Sequence, residues 1–133
     1  MEHHILVVED EEYWREALFR EALEEAGYLV RTCSNYGEAV AALDERVFDL
    51  LGIDVNLTGL AGNQDGVRVL EHVAALGHNP PSVIVSGSKT RAMAMGSVER
   101  FRPAAFLDKA TFDVAQFVAL VTDALVAADS SNV

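Results

Sequence analysis

The stretch HILVVEDEE, residues 4–12, runs from an unbroken apolar segment, Ile5 to Val8, straight into four acids, Glu9 to Glu12. A short apolar run without polar alternation suits a strand covered on both faces, as in a parallel sheet flanked by helices. Its abrupt acidic end marks where such a strand would meet solvent. Three further runs have the same character: YLVRTC ending at Cys33, LLGI ending at Ile53 and SVIVS ending at Ser86; a weaker fifth, AAFL, ends at Leu107. Between them lie segments with helical periodicity. Trp14, Leu18 and Ala22 recur every four residues, with Phe19 and Leu23 beside them, which predicts a helix from about Glu12 to Ala26 stopped by Gly27. Ser34 or Asn35 can cap a second helix carrying Val40 and Leu43. Val67, Leu70, Val73 and Ala74 mark a third after Gly66. A fourth falls within TRAMAMGSVERF, residues 90–101, where Gly96 and small or flexible apolar side chains predict loose packing. Val114, Phe117, Val118, Val121 and Leu125 form the stripe of a fifth, capped by Thr111 or Asp113. Five alternations of strand and helix predict an α/β fold: a doubly wound, five-stranded parallel sheet with five helices on both faces.

Composition narrows the function. At 133 residues the chain suits one domain, and half of it is hydrophobic, enough for a substantial core. Net charge is −11, which opposes broad contact with a phosphate backbone and argues against direct nucleic-acid binding. No run approaches the length of a membrane span, and the start MEHHILVVED lacks a signal-like basic and apolar pattern, so no membrane association is expected. The single cysteine, Cys33, lies in an apolar run and reads as a buried thiol, in keeping with a cytoplasmic protein. His3, His4, His72 and His78 have no metal-binding spacing. Lys89, Arg91, Arg100 and Arg102 gather in the region of the fourth helix, either as a solvated face or as a contact for an acidic partner. The tail from Asp129 to Val133 reads as a frayed end or linker stub after a domain over residues 1–128.

Ligands of open parallel sheets bind beyond the carboxyl ends of the strands. Glu9 and Asp10 follow the first strand, Asp54 the third, Ser86 ends the fourth, and Asp108 and Lys109 follow the fifth. Clustered carboxylates repel one another unless a cation neutralises them, and oxygen-only ligation favours a hard ion such as Mg²⁺. Beside the metal and Lys109, the ionised Asp54 could act as a nucleophile towards a phosphoryl group, with Ser86 donating to a transferred oxygen. Taken alone, each residue also has an ordinary reading: a helix first turn for Glu9 to Glu12, a cap for Asp54, a surface lysine for Lys109.

In order and separation, the segments ILVVEDEE, FDLLGIDVNL, VIVSGS and AAFLDKA resemble the receiver domain of two-component response regulators over essentially the whole chain. The resemblance implies a flavodoxin-like sheet of order 2-1-3-4-5. It implies Asp54 as phosphoacceptor, Glu9, Asp10, Asp54 and the main-chain carbonyl of Asn56 as Mg²⁺ ligands, Ser86 and Lys109 as phosphoryl partners, and Ser86 with Phe106 as the switch pair. It further implies a histidine kinase or phosphotransfer protein as donor. The output is then a downstream protein partner, a second copy of the chain being one candidate, reached through the fourth helix, fifth strand and fifth helix. Such a protein is a phosphorelay switch in signal transduction and not a turnover enzyme. Four features depart from the family's pattern: Thr58 stands for a proline, GLAGNQ at residues 59–64 holds about four extra residues, Gly87 stands for a small residue that is commonly alanine, and Lys109-Ala110 replaces a Lys-Pro pair that usually carries a cis bond, which predicts a trans peptide and a displaced lysine. Two rival readings share Asp54. DVNLTGLAGNQD places Asp54, Asn56, Thr58, Gly59 and Asp65 at EF-hand positions, though with aspartate in place of the last glutamate. DVNLT also loosely matches the DxDxT of haloacid-dehalogenase-type phosphatases.

Overall fold

The computed structural model describes residues 2–55, 65–87, 95–96 and 98–131. Strands β1 (His4–Val8), β2 (Leu29–Cys33), β3 (Leu50–Asp54), β4 (Ser82–Ser86) and β5 (Ala105–Asp108) form one sheet of order β2-β1-β3-β4-β5. Every pairing is parallel. All five residues of β3 and of β4 are buried, and four of the five in β1, which is why these strands are unbroken apolar runs. The edges differ. β2 alternates exposed and part-buried residues until Cys33, and only Leu107 of β5 is buried. The uniform burial expected of β2 therefore fails, because an edge strand has one neighbour and a thinner helical cover.

Side chains on successive strand residues point to opposite faces and feed two separate cores. On one face Leu6, Val8, Leu51, Ile53 and Ile84 pack with α2 (Tyr36–Glu45) and α3 (Asp65–Ala75). On the other, Ile5, Val7, Leu50, Val83 and Val85 pack with α1 (Tyr13–Arg20 and Glu21–Glu25) and α4 (Val114–Ser131). Helix α1 is wound as a π-helix over Tyr13–Arg20 and continues as an α-helix over Glu21–Glu25. This wide winding shifts the predicted stripe. Phe19 and Leu23 are its most buried members, whereas Trp14 and Leu18 are only partly covered. Trp14 meets Phe19, five positions on, with ring centroids 5.8 Å apart, as i→i+5 winding allows.

The caps follow the predicted chemistry. Asn35 Oδ1 accepts the Glu38 N–H at 2.9 Å and Glu38 Oε1 accepts the Ser34 N–H at 2.8 Å, a reciprocal arrangement that starts α2. Asp113 Oδ1 accepts the Ala115 N–H at 3.3 Å, which makes Asp113 the cap of α4. Gly27 ends α1 at φ 97°, a conformation that favours glycine. Helix α4 continues through Asp129, which pairs with His3 at 3.2 Å, to Ser131. Of the five helices expected, four are described at length. The segment expected to hold the remaining one lies largely outside the described residues, which include the short 3₁₀ turn Glu99–Phe101. Among the described residues no helix is long and apolar enough to cross a membrane.

The third helix begins two residues earlier than predicted and carries Gly66 in its first turn, where it passes against the end of β3. A Cβ on Gly66 would lie 2.5 Å from the carbonyl oxygen of Asp54 and 3.0 Å from methyl groups of Ile53 and Val55. Gly66→Ala is therefore expected to push α3 off the strand end and to cost about 1–3 kcal/mol, read as a lower urea midpoint. A variant as stable as the parent would show that this approach is slack.

Candidate functional site

The carboxyl ends of β1, β3 and β5 bring four of the predicted residues together. Glu9 directly follows β1, and its N–H donates to the carbonyl of Cys33 on β2 at 3.0 Å, so the backbone ladder fixes it one residue past the strand. Asp54 is the last residue of β3, in register with Val85 of β4. Lys109 begins a 3₁₀ turn after β5, and its side chain reaches back across the strand ends. Its Nζ lies 2.8 Å from Glu9 Oε1 and 3.4 Å from Asp54 Oδ1. Glu9 and Asp54 are both buried, and Asp10 is exposed on the open side. Carboxylate oxygens of Glu9, Asp10 and Asp54 all fall within 4.8 Å of one another.

Lys109 reaches Glu9 and Asp54 across a trans peptide bond to Ala110. Among the described residues no peptide bond is cis, and the trans bond to Ala110 is accommodated because Asp108 Oδ1 accepts the Ala110 N–H at 2.9 Å and closes the turn. Ser86, fully buried, ends β4 one residue beyond the register partner of Asp54 and lies opposite Asp108 of β5. Phe106 is half-buried on β5, packed against the α2/α3 core and lining a surface cavity of about 530 Å³ with Met95, Val98 and Arg102. Asn56, the proposed main-chain ligand, lies outside the described residues, as do Thr58 and Gly59 of the EF-hand reading. That reading also lacks its entering helix, because the residues before Asp54 are a strand. In the cation cluster, Lys89 and Arg91 lie outside the described residues, and Arg100 pairs with Glu71 at 3.0 Å.

Two site residues went unnoticed in the sequence. Arg15 Nη1 donates to the carbonyls of Glu9 at 3.1 Å and Asp10 at 3.4 Å, tying the acidic turn to α1. Trp14 presents its ring to Lys109, with Nζ 4.9 Å from the centroid. Their only signal was a position in the first turn after the acids, which periodicity assigned to core or surface.

The electrostatics follow from burial. Desolvation, then the charge of Asp54, pushes Glu9 up to about 8 despite the pull of Lys109. Desolvation likewise lifts Asp54 to about 6, with Lys109 opposing it. Burial alone would lower Lys109, but pairing with Glu9 and Asp54 outweighs it and leaves the ammonium above its ordinary value. Among the described residues, Glu9 Oε1 and Asp54 Oδ1 have no partner other than the Lys109 ammonium. Two buried oxygens with no further partner, a third carboxylate beside them and no nitrogen or sulfur donor in the set fit a hard divalent cation.

A pH dependence follows. Between the ordinary carboxylate values, 3.8 and 4.5, and the raised ones, about 6 and about 8, the folded protein holds protons that the unfolded chain has released. Stability is then fully present below about pH 4 as far as these two groups are concerned, and falls as pH rises towards 8. Thermal unfolding without divalent metal is expected to give a lower Tm at pH 8 than at pH 6, and Mg²⁺ to narrow that gap. A gap unaffected by Mg²⁺ would contradict the cation fit.

A family profile described as the response regulator receiver domain matches residues 5–122. Among solved structures, NtrX from Brucella abortus is similar with 26% identity and a TM-score of 0.84, covering 99% of this chain and 28% of that one. The chain thus spans little more than a quarter of that NtrX chain. The receiver domain of the same NtrX is 27% identical, with a TM-score of 0.77, 91% of this chain and 97% of that chain being covered. A CheY-like response regulator receiver domain protein from Methanospirillum hungatei, at 19% identity, has a TM-score of 0.83 over 98% of this chain and 99% of its own, a likeness that shows the fold alone. No curated protein sequence matches the chain. A matching profile over nearly the full length, on a parallel sheet whose strand ends join two acids, an aspartate and a lysine, makes this chain a member of the response regulator receiver domain family.

Proposed function

We propose that the chain is a phosphorelay switch in which Asp54 accepts a phosphoryl group from a phosphohistidine on a histidine kinase or phosphotransfer protein. The observation that carries this reading is the Lys109 ammonium set between Glu9 Oε1 and Asp54 Oδ1 at the strand ends. In the step, an Asp54 carboxylate oxygen attacks phosphorus, the bond from phosphorus to the histidine nitrogen breaks, and the imidazole leaves as a neutral base after taking up a proton. Lys109 balances charge gathering on the phosphoryl oxygens, and Ser86 donates a hydrogen bond to one of them. Glu9, Asp10, Asp54 and the Asn56 main-chain carbonyl would hold Mg²⁺, which when bound neutralises the incoming phosphoryl charge. Phe106, half-buried over a cavity, would change its packing with the state of Ser86 and carry the signal to the neighbouring surface. A downstream protein partner or a second copy of the chain would read that surface. Residues 1–128 form the receiver unit on this reading, in the cytoplasm, and it is a switch with no substrate turned over.

Incubation with Mg²⁺ and a small phosphodonor, followed by intact mass and peptide mapping, tests the proposal. A gain of one phosphoryl group mapped to Asp54 is expected. No gain, or a gain mapped elsewhere, would overturn it.

A further inference from the structure

Lys109 has two kinds of neighbour. On one side stand the carboxylates of Glu9 and Asp54, and on the other the face of Trp14, the only tryptophan in the chain. The ring is itself held. Trp14 meets Phe112 edge-on, with centroids 5.1 Å apart, and tilts against Phe19 at 5.8 Å. Phe112 and Phe19 in turn pack on Phe117 of α4 at 5.5 and 5.2 Å, which roots the group in the α1/α4 core. Phe112 directly follows the 3₁₀ turn that begins with Lys109, so the same aromatic group fixes both the ring above the ammonium and the chain that carries it.

Among the described residues, the two oxygens that Lys109 touches have no other partner. A divalent cation drawing on them weakens their hold on the ammonium, whereas a contact with an aromatic face is untouched by that competition. We propose that Trp14 is a positioning residue, which keeps the Lys109 ammonium at the strand ends by a cation–π contact while the carboxylates are engaged elsewhere. The inference rests on the phosphoacceptor reading for its consequence, but the contact itself belongs to the resting protein.

The contact is tested first without metal or phosphodonor. The chain has two lysines, so Lys89→Arg leaves Lys109 as the sole source of lysine signals in a ¹H–¹³C spectrum. Its ε-methylene protons are expected upfield of the free-lysine position through the ring current of Trp14, to return to that position in Trp14→Leu and to remain largely shifted in Trp14→Phe. Phosphoryl uptake from a small donor in Mg²⁺ is expected to slow roughly three- to thirtyfold in Trp14→Leu, the range a cation–π contact spans, and to recover in Trp14→Phe. In a Lys109→Met background the same Trp14→Leu change should have no further effect, because a residue acting only through Lys109 has nothing left to position. Lys109 protons at the free-lysine position in the parent would overturn the inference. So would a Trp14→Leu effect of equal size with and without Lys109, which would mark Trp14 as packing alone. A parent that shows the upfield shift yet gains no phosphoryl group would overturn instead the reading on which the consequence rests.

Discussion

Asp54→Asn is expected to abolish phosphoryl uptake and, in the same molecule, to make the resting protein more stable. The loss of uptake follows from removing the nucleophilic oxygen. The gain in stability follows from its setting: the Asp54 carboxylate is buried, close to two other acids, and lifted by desolvation to about 6 against the pull of one lysine. At pH 8 the folded state therefore carries an ionised group that it would rather hold neutral, and an amide of nearly the same shape relieves that cost. The raised value corresponds to a gain on the order of 3 kcal/mol at pH values above 6, fading towards pH 4 where Asp54 is protonated in the parent. Urea unfolding at pH 8 without divalent metal measures it. A variant less stable than the parent would mean that attraction to Lys109 exceeds the cost of burial.

Lys109→Met should act in the opposite sense on stability. One ammonium serves both Glu9 Oε1 and Asp54 Oδ1, and the side chain is 15% exposed, so little water can replace it. Removing one partner of a buried ion pair typically costs about 3–5 kcal/mol, because the remaining charge is left uncompensated. Methionine keeps most of the apolar stem against Trp14, which confines the change to charge. The loss is expected to be largest near pH 8 and to shrink by pH 5, where the carboxyls take up protons. Mg²⁺ should restore part of it. Phosphoryl uptake should fall sharply even with Mg²⁺ present, since a metal at the acidic side does not replace a cation at Lys109. A variant with unchanged stability across this pH range would show that Glu9 and Asp54 are better solvated than their burial implies.

The residues that could be read from the sequence were those whose signal lies in a local run. Unbroken apolar stretches ended in acids at Glu9 and Asp54, and parallel-sheet geometry then placed these ends together with Ser86 and Lys109. Neither Asp54 nor Lys109 was informative alone; each gained meaning from its position after a strand. What the sequence hid depends on backbone winding or on neighbours distant in the chain. A four-residue spacing suggested that Trp14, Leu18 and Ala22 share the buried stripe of α1, but π-helical winding turns Trp14 towards Lys109 and Phe19. Arg15 was indistinguishable from other helix-surface arginines until the turn at Glu9 and Asp10 presented its carbonyls. Edge position explains β2: the apolar residues of LVRTC suggested a buried strand, but Arg31 and Thr32 interrupt them and the strand lies at the edge of the sheet. Ala110 predicted a trans peptide after Lys109, and the turn it enters is closed by Asp108, whose Oδ1 accepts the Ala110 N–H.

Asp54 is the final residue of a strand whose five members are all buried, and its register partner Val85 lies in another such strand. The backbone entropy of the acceptor is therefore surrendered when the sheet forms and not when a ligand arrives. On the proposed reading, a metal ion or phosphoryl group meets an Asp54 backbone already preorganised, and the ordering that remains to be done falls on side chains. Affinity and exchange rate at this site should accordingly be adjustable through the side chains around Asp54 without disturbing the sheet that holds it.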